Sequence, residues 1–226
     1  MKRVFSPILC VLFVVLISAC NSRKQQAAKP GEGMVVYKVS YPDSAKYGMK
    51  SAFFPREIVL VFKNDKAAFI ASGAMGMIQL VNLLDAGKKN YVSLLIDRLR
   101  QNIGCKLTPD EITQNEQSDS LLIRNTNEQK VIAGMNCQKA IVTDVGSGLQ
   151  TEVFFNDTIQ FSYRNSPFKN IPFLMLEYTH TVNNLAMKLE ATKVDFSSPV
   201  DTSLFTVKGE YQWVTQKEFY QYLSSL

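Results

Sequence analysis

From residue 34 to residue 196 the chain reads as a series of short apolar runs. Most alternate with polar residues and end in turn-forming ones. MVVYKVSY (34–41) puts Val35, Tyr37, Val39 and Tyr41 on one side of an extended backbone, because successive strand side chains point to opposite faces. EIVLVFK (57–63) and AAFIAS (67–72) follow, parted by the turn-like Asn64-Asp65. MIQLVNLLD (77–85) and YVSLLID (91–97) flank AGKKN as a hairpin. SLLIRN (120–125) and KVIAG (130–134) bracket another turn, and NCQKAIVTDV (136–145) and QTEVFFND (150–157) flank GSGL. Many short strands at similar spacing predict a mainly β chain with a single large antiparallel sheet, open or closed.

The last hairpin specifies itself most fully. FLMLEYTHTV (173–182) meets LAMKLEATKVDF (185–196) across Asn183-Asn184, and asparagine tolerates the positive φ of a type I′ turn. That turn sets Val182 opposite Leu185, His180 opposite Met187, Tyr178 opposite Leu189 and Leu176 opposite Ala191, an apolar face. The other face carries Glu177, Thr179, Lys188 and Glu190. Glu177 then lies opposite Glu190, an unfavourable pair that a diagonal Lys188 offsets. A slip of one residue mixes the two faces, so the register is held by the pattern.

Helices are few. In LTPDEITQN, Thr108, Pro109 and Glu111 suit an N-cap, a first helical position and a reciprocal cap. Near the C-terminus Thr215 and Glu218 form a capping box, with Val214 and Phe219 placed as a hydrophobic staple. Phe219, Tyr222, Leu223 and Leu226 recur at helical spacing. They predict one amphipathic helix packed on an edge or face of the sheet, with contact to a membrane as the alternative.

The N-terminus has a different pattern. Lys2 and Arg3 precede the apolar stretch ILCVLFVVLI (8–17), which is too short to span a bilayer and ends in Ser18-Ala19. This is the form of a secretory signal. Ile17-Ser18-Ala19-Cys20 resembles the bacterial lipobox, which implies cleavage between Ala19 and Cys20, a diacylglycerol thioether on Cys20, and acylation of the new amino group. Two or three acyl chains give a stable membrane anchor. Residues 21–33 (NSRKQQAAKPGEG) lack periodicity and read as a tether with a root-mean-square reach of about 20 Å. The predicted organisation is a signal at 1–19, a lipidated tether at 20–33 and one β-rich domain at 34–226.

Charge and chemistry narrow the function. Removing Lys2 and Arg3 lowers the formal charge of +5 by two, and the remaining charges are well mixed. Nucleic acid is not an expected partner. Once Cys10 leaves with the signal and Cys20 is lipidated, Cys105 and Cys137 remain. In an oxidising compartment they are a possible disulfide, closing a loop of about 33 residues worth ~3–4 kcal/mol. Two separate buried thiols are the other reading. The single histidine, His180, would have to serve any Ser-His-Asp or Cys-His apparatus. One His and two distant Cys do not make a zinc site, and no phosphate-cradling or nucleophile-elbow motif occurs. No cofactor is implied, and the expected class is not an enzyme. A hydrolase built on His180 is the minor rival. Phe53, Phe54, Met75, Met77, Met135, Met175 and Met187 enrich the chain in adaptable apolar side chains, which read first as core and second as a surface for apolar ligands.

Three segments resemble a known group. KVIAGMNCQKAIV (130–142) is similar to the I-x-G-x-x-C-x-K-A segment of exported proteins common in Bacteroidota. KNIPFLMLEY (169–178) resembles their G-L-P-G-L-I-L-E signature, with Asn170 and Phe173 in place of the two glycines. VDTSLFTVKGEY (200–211) resembles the closing V-D-x-S-L-F-x-V-P-x-x-Y of related lipoproteins, with Lys208 in place of proline. The resemblance implies a sister family of the GLPGLI group, distantly similar to the LolA/LolB lipoprotein carriers. It implies a strongly curved antiparallel sheet, an open half-barrel with one or two short helices, one of them C-terminal. The implied activity is holding a lipid or other apolar ligand in the concave face, where Tyr37, Phe62, Leu80, Met175, His180 and Met187 are the candidate lining. The alternative is a non-catalytic structural or interaction protein of the cell envelope whose concavity is filled by its own side chains. Either would be anchored through acylated Cys20 in the outer membrane, facing the periplasm, since Asn21, Ser22, Arg23 and Lys24 include no acidic residue.

Overall fold

The computed structural model describes residues 31–112, 121–161, 171–182 and 185–225. Twelve strands form one sheet: β1 (Glu32–Ser40), β2 (Glu57–Lys63), β3 (Lys66–Gly73), β4 (Ile78–Asp85), β5 (Asn90–Asp97), β6 (Ile103–Lys106), β7 (Leu121–Ile132), β8 (Met135–Asp144), β9 (Gln150–Gln160), β10 (Phe173–Val182), β11 (Leu185–Asp195) and β12 (Gln212–Val214). Their order is β12-β6-β5-β4-β3-β2-β1-β11-β10-β9-β8-β7. Two meanders, β1–β6 and β7–β11, are therefore joined side by side through the antiparallel β1–β11 pair. The ladder is antiparallel except where β12 runs parallel to β6.

The predicted strands are present, and β1 begins two residues before the predicted boundary at 34. Three features go beyond or depart from expectation. The segment around Cys105, to which the pattern assigned no element, is strand β6. Residues 121–125 and 130–132 of the two predicted runs belong to one long strand, β7, whose pairing with β8 shifts between Asn125 and Gln129; a bulge stands where a turn was predicted, and Ala133-Gly134 form the turn to β8. Tyr178–Leu189, His180–Met187, Val182–Leu185 and Glu177–Glu190 pair as the pattern requires; the rungs begin at Glu177–Glu190, and Leu176 and Ala191 are buried in one cluster, while against β9 the pairing of β10 shifts between Met175 and Glu177. Residues 183–184 of that hairpin lie outside the described residues.

The sheet curls without closing. Tyr91 of β5 and Val142 of β8 belong to one buried cluster, although they lie eight strand positions apart. Flat, that separation would be about 38 Å. The inner face carries Val35, Tyr37, Leu60, Phe62, Ala67, Leu84, Tyr91, Ala140, Val142, Val153, Tyr178 and Leu189, all buried. The opposite face of the first meander is covered by the chain between β11 and β12, whose Phe205 and Tyr211 pack on Ala68, Val81, Leu83, Val92 and Leu94. In the second meander β7 approaches β11 to within 8 Å between Cα atoms, although three strands lie between them in the order.

Both predicted caps are formed. Thr108 N–H donates to Glu111 Oε2 at 2.7 Å, and Glu111 N–H donates to Thr108 Oγ1 at 3.3 Å. Thr215 and Glu218 exchange the same pair of bonds at 2.9 and 3.3 Å and open helix α1 (Gln216–Ser225). The helix packs Phe219 and Leu223 on Leu80, Leu95, Ile103 and Cys105, with the staple residue Val214 in the same cluster. Tyr222, expected on the buried stripe, is 41 % exposed, so the apolar face is narrower than the spacing implied. Just before the helix, Trp213 of β12 lies over Gly104 of β6. A Cβ there would stand 2.7 Å from the indole, so glycine is what admits the ring.

Candidate binding face

The six candidate lining residues divide among three environments. Tyr37, Phe62 and Met175 lie in the buried core. The Tyr37 hydroxyl donates to the Met175 carbonyl at 2.7 Å, tying β1 to β10 across β11. The Tyr37 and Tyr178 rings meet edge to face at 6.0 Å. Phe62 lies 4.8 Å from Phe161 and 6.3 Å from Phe196 between ring centroids, and Phe155 stacks on Phe173 at 5.6 Å. Burial drives the acidity of Tyr37 and Tyr178 far down, raising both pKa values well above the ordinary phenol range. Leu80 belongs elsewhere, under the C-terminal helix. His180 and Met187 face each other on the last rungs of β10–β11, half-buried at the end of the curl where Phe54, Ile58 and Leu185 are also half-buried.

The inner face is therefore not one apolar cavity lined by all six. Its middle is packed with this chain's own rings, and two depressions flank the C-terminal helix. One is lined by Lys217, Tyr220, Gln221 and Ser224, the other by Gln212, Val214, Glu218 and Tyr222. Both are shallow and open to solvent, unlike the enclosed apolar pockets that take drug-sized ligands.

Burial disfavours the imidazolium of His180 and lowers its pKa below the ordinary histidine value. No cluster of three or more potential metal ligands occurs among the described residues. The possible Cys105–Cys137 disulfide is not formed. Both thiols are free and buried, Cys105 beside Leu95, Ile103 and Phe219 and Cys137 in the main core, on strands nine positions apart in the sheet. Burial pushes the Cys137 thiol up to about 11 and also raises Cys105, so neither is poised as a nucleophile. Cys20 lies outside the described residues.

The opposite face of the second meander holds an arrangement that the pattern showed only in part. Glu177 of β10 is 8 % exposed and accepts hydrogen bonds from Lys130 of β7 and Lys188 of β11. Burial pushes its pKa up, and the two lysine hydrogen bonds outweigh that and hold it below the ordinary carboxylate range. Lys139 of β8 bridges Glu128 at 2.9 Å and Glu152 at 2.7 Å. Lys130 and Lys139 both stand over the ring of Phe154, at 5.4 and 5.8 Å from its centroid. Lys188 offsets the Glu177–Glu190 repulsion as the diagonal implied. The contribution of Lys130, 47 residues away in sequence, depends on the curl of β7 and had no local signal.

No family model matches the chain, and no curated protein matches it. The similarity to the GLPGLI group thus remains one of short motifs. Among solved structures, the chain is similar to PNGF-II in a C2 crystal, with a TM-score of 0.53 and 15 % identity over 84 % of this chain and 32 % of that one. PNGF-II in a P21 crystal gives 0.54 and 16 % over 86 % and 33 %. The chain spans about a third of PNGF-II. A β-barrel-like protein of the domain of unknown function DUF1849 from Brucella abortus gives 0.34 and 9 % over 75 % of this chain and 99 % of that one. At this identity, the likeness to PNGF-II is one of fold.

Proposed function

We propose that the chain is a lipid-anchored protein of the cell envelope that works through its surfaces, as a non-catalytic scaffold for interactions, and that its curved sheet is filled by its own side chains. The observation that carries this reading is the occupied interior. The Tyr37 hydroxyl bonds a backbone carbonyl and the Phe161 and Phe196 rings both close on Phe62, where a carrier would leave an apolar void. The signal-like N-terminus and the cysteine at its end support the anchored location. An anchored chain cannot shuttle cargo, so it fits a fixed role.

Mass spectrometry of the protein purified from membranes in mild detergent tests both parts. Expected are an acylated peptide beginning at Cys20 and no lipid bound at one per chain after delipidation. A stoichiometric bound lipid would overturn the self-filled reading. One observation favours a second reading: His180, Met187, Leu185, Ile58 and Phe54 stay half-buried around one end of the curl, which would suit a short apolar group at that mouth. A bound lipid lost on Met187→Trp would support it.

A further inference from the structure

The two ends of the sheet differ in kind. At one end three connections are short turns: Asn64-Asp65, Ala86–Lys89 and Ala133-Gly134. At the other, the β1–β2, β3–β4 and β5–β6 connections are longer or strained and expose apolar side chains. Met49 is 90 % exposed, Phe53 54 %, Met75 94 % and Leu99 72 %. The β8–β9 turn at this same end exposes Val145 and Leu149.

These tips are built, not frayed. The β1–β2 connection folds as 3-10 turns over Ser44–Phe53 and rests on the end of β3, where a Cβ on Gly73 would lie 2.5 Å from the Phe53 carbonyl. Ala74 and Met75 both take left-handed backbone conformations, φ 48° and 56°, which L residues adopt at a cost, and Met75 is thereby held outward. Asp97, itself buried, accepts from the amides of Leu99 and Arg100 and shapes the turn that presents Leu99. Arg98 N–H donates to the Met77 carbonyl and ties that turn to the β3–β4 connection. Around the tips stand Lys46, Lys50, Arg56, Arg98 and Arg100. Within 41–56, 74–77 and 98–102 the one carboxylate is Asp43, and it is paired with Lys46.

We propose that this end of the sheet docks on an anionic bilayer, inserting Met49, Phe53, Met75 and Leu99 at the interface while the surrounding lysines and arginines meet lipid phosphates. Apolar tips ringed by cations are complementary to a surface that is negative outside and apolar beneath. An acylated Cys20 is compatible with this. The chain from Cys20 to Gly31 reaches about 40 Å fully extended, and β1 is nine residues long, about 30 Å. An anchored molecule can thus lay its far end on the same membrane. The proposal goes beyond the scaffold reading and stands without it, because filled and empty interiors leave these tips unchanged.

The test uses the full chain with Trp213→Phe, which removes its single tryptophan, and a new tryptophan at Met75→Trp or, at the opposite end, Lys88→Trp. Each is mixed with phosphatidylcholine vesicles, with or without about 25 % phosphatidylglycerol, carrying brominated acyl chains. On anionic vesicles the Met75→Trp emission is expected to shift blue and be quenched about twofold. The Lys88→Trp emission should not change. Adding Arg98→Gln and Arg100→Gln is expected to weaken the tip response about 30-fold in lipid titration, and about 0.5 M NaCl should suppress it. Circular dichroism confirms that each variant is folded. Absence of quenching at position 75 on anionic vesicles, as would follow if the tips served a protein partner, overturns the proposal. Equal quenching on neutral vesicles, or equal quenching at positions 75 and 88, overturns it too.

Discussion

The two meanders hide their second face by different means. In β1–β6 a separate stretch of chain does it, as Phe205 and Tyr211 arrive after β11 and seal Ala68, Val81, Leu83, Val92 and Leu94. In β7–β11 the sheet supplies much of its own cover. Its edge strand approaches β11, Lys130 and Lys139 stand over Phe154, and these two with Lys188 pair with Glu177, Glu128 and Glu152. One cover is apolar and comes from afar in the chain; the other is charged and comes from neighbouring strands. Burial of apolar area does not titrate and is not screened by counterions, whereas an ion-paired cover responds to both pH and screening. The halves should therefore fail under different conditions.

The largest effect is expected under the apolar cover. Leu94 is 2 % exposed, and Leu94→Ala should lower unfolding stability by about 2–5 kcal/mol in urea titration, the usual range for a truncated buried leucine. A loss below about 1 kcal/mol would mean that residues 196–211 do not form a packed cover. Tyr37→Phe probes the inner face that both halves share. It removes one hydroxyl and leaves the Met175 carbonyl short of a buried donor, at an expected cost of about 1–3 kcal/mol. If that change is neutral, the link from β1 to β10 is incidental to the curl. Phe205→Ala acts on the cover itself. Because the ring is only half-buried, about 1–2 kcal/mol is expected, with no change in the dependence on pH.

This contrast also explains what could be read from the residues alone. The β10–β11 register was legible because one face of that hairpin is apolar and the other charged, so alternation and turn agree. The capping residues at Thr108 and Thr215 were legible because their chemistry is local. In the first meander the alternation is lost, since Leu83 and Leu84, or Leu94 and Leu95, are buried on opposite faces. Such runs give a strand but not what lies on either side of it. The covering segment has no strand-like period, and β6 and β12 are too short to signal themselves. The candidate lining was chosen for its apolar character, and core and cavity share that character. Only the three-dimensional packing separated Tyr37 from Leu80 and both from His180. Met75 shows the same limit in reverse: its backbone conformation, not its side-chain type, sets it in the solvent.

The smallest effect should come from the charged cover, and its pH dependence makes it specific. Glu177→Gln keeps the shape of the side chain and removes its charge. Lys130 and Lys188 are more than a third exposed and keep their solvation, so the expected loss at neutral pH is discounted to about 1 kcal/mol. The native carboxylate has its pKa held below the unfolded value by the two lysines, against the pull of burial. Its contribution is thus present above the unfolded pKa of about 4.3 and fades as pH falls through the folded value. Lys130 titrates in the opposite sense. Its hydrogen bond to Glu177 raises its pKa, so that contribution is present below the unfolded lysine value of about 10.4 and fades as pH rises past it. The difference between native and Glu177→Gln stability should form a plateau from about pH 5 to about pH 10 and narrow on both sides. A difference independent of pH would mean that Glu177 matters through packing alone. Leu94→Ala measured over the same range should show no plateau edge. If it does, the two halves do not hide their second faces by separate means.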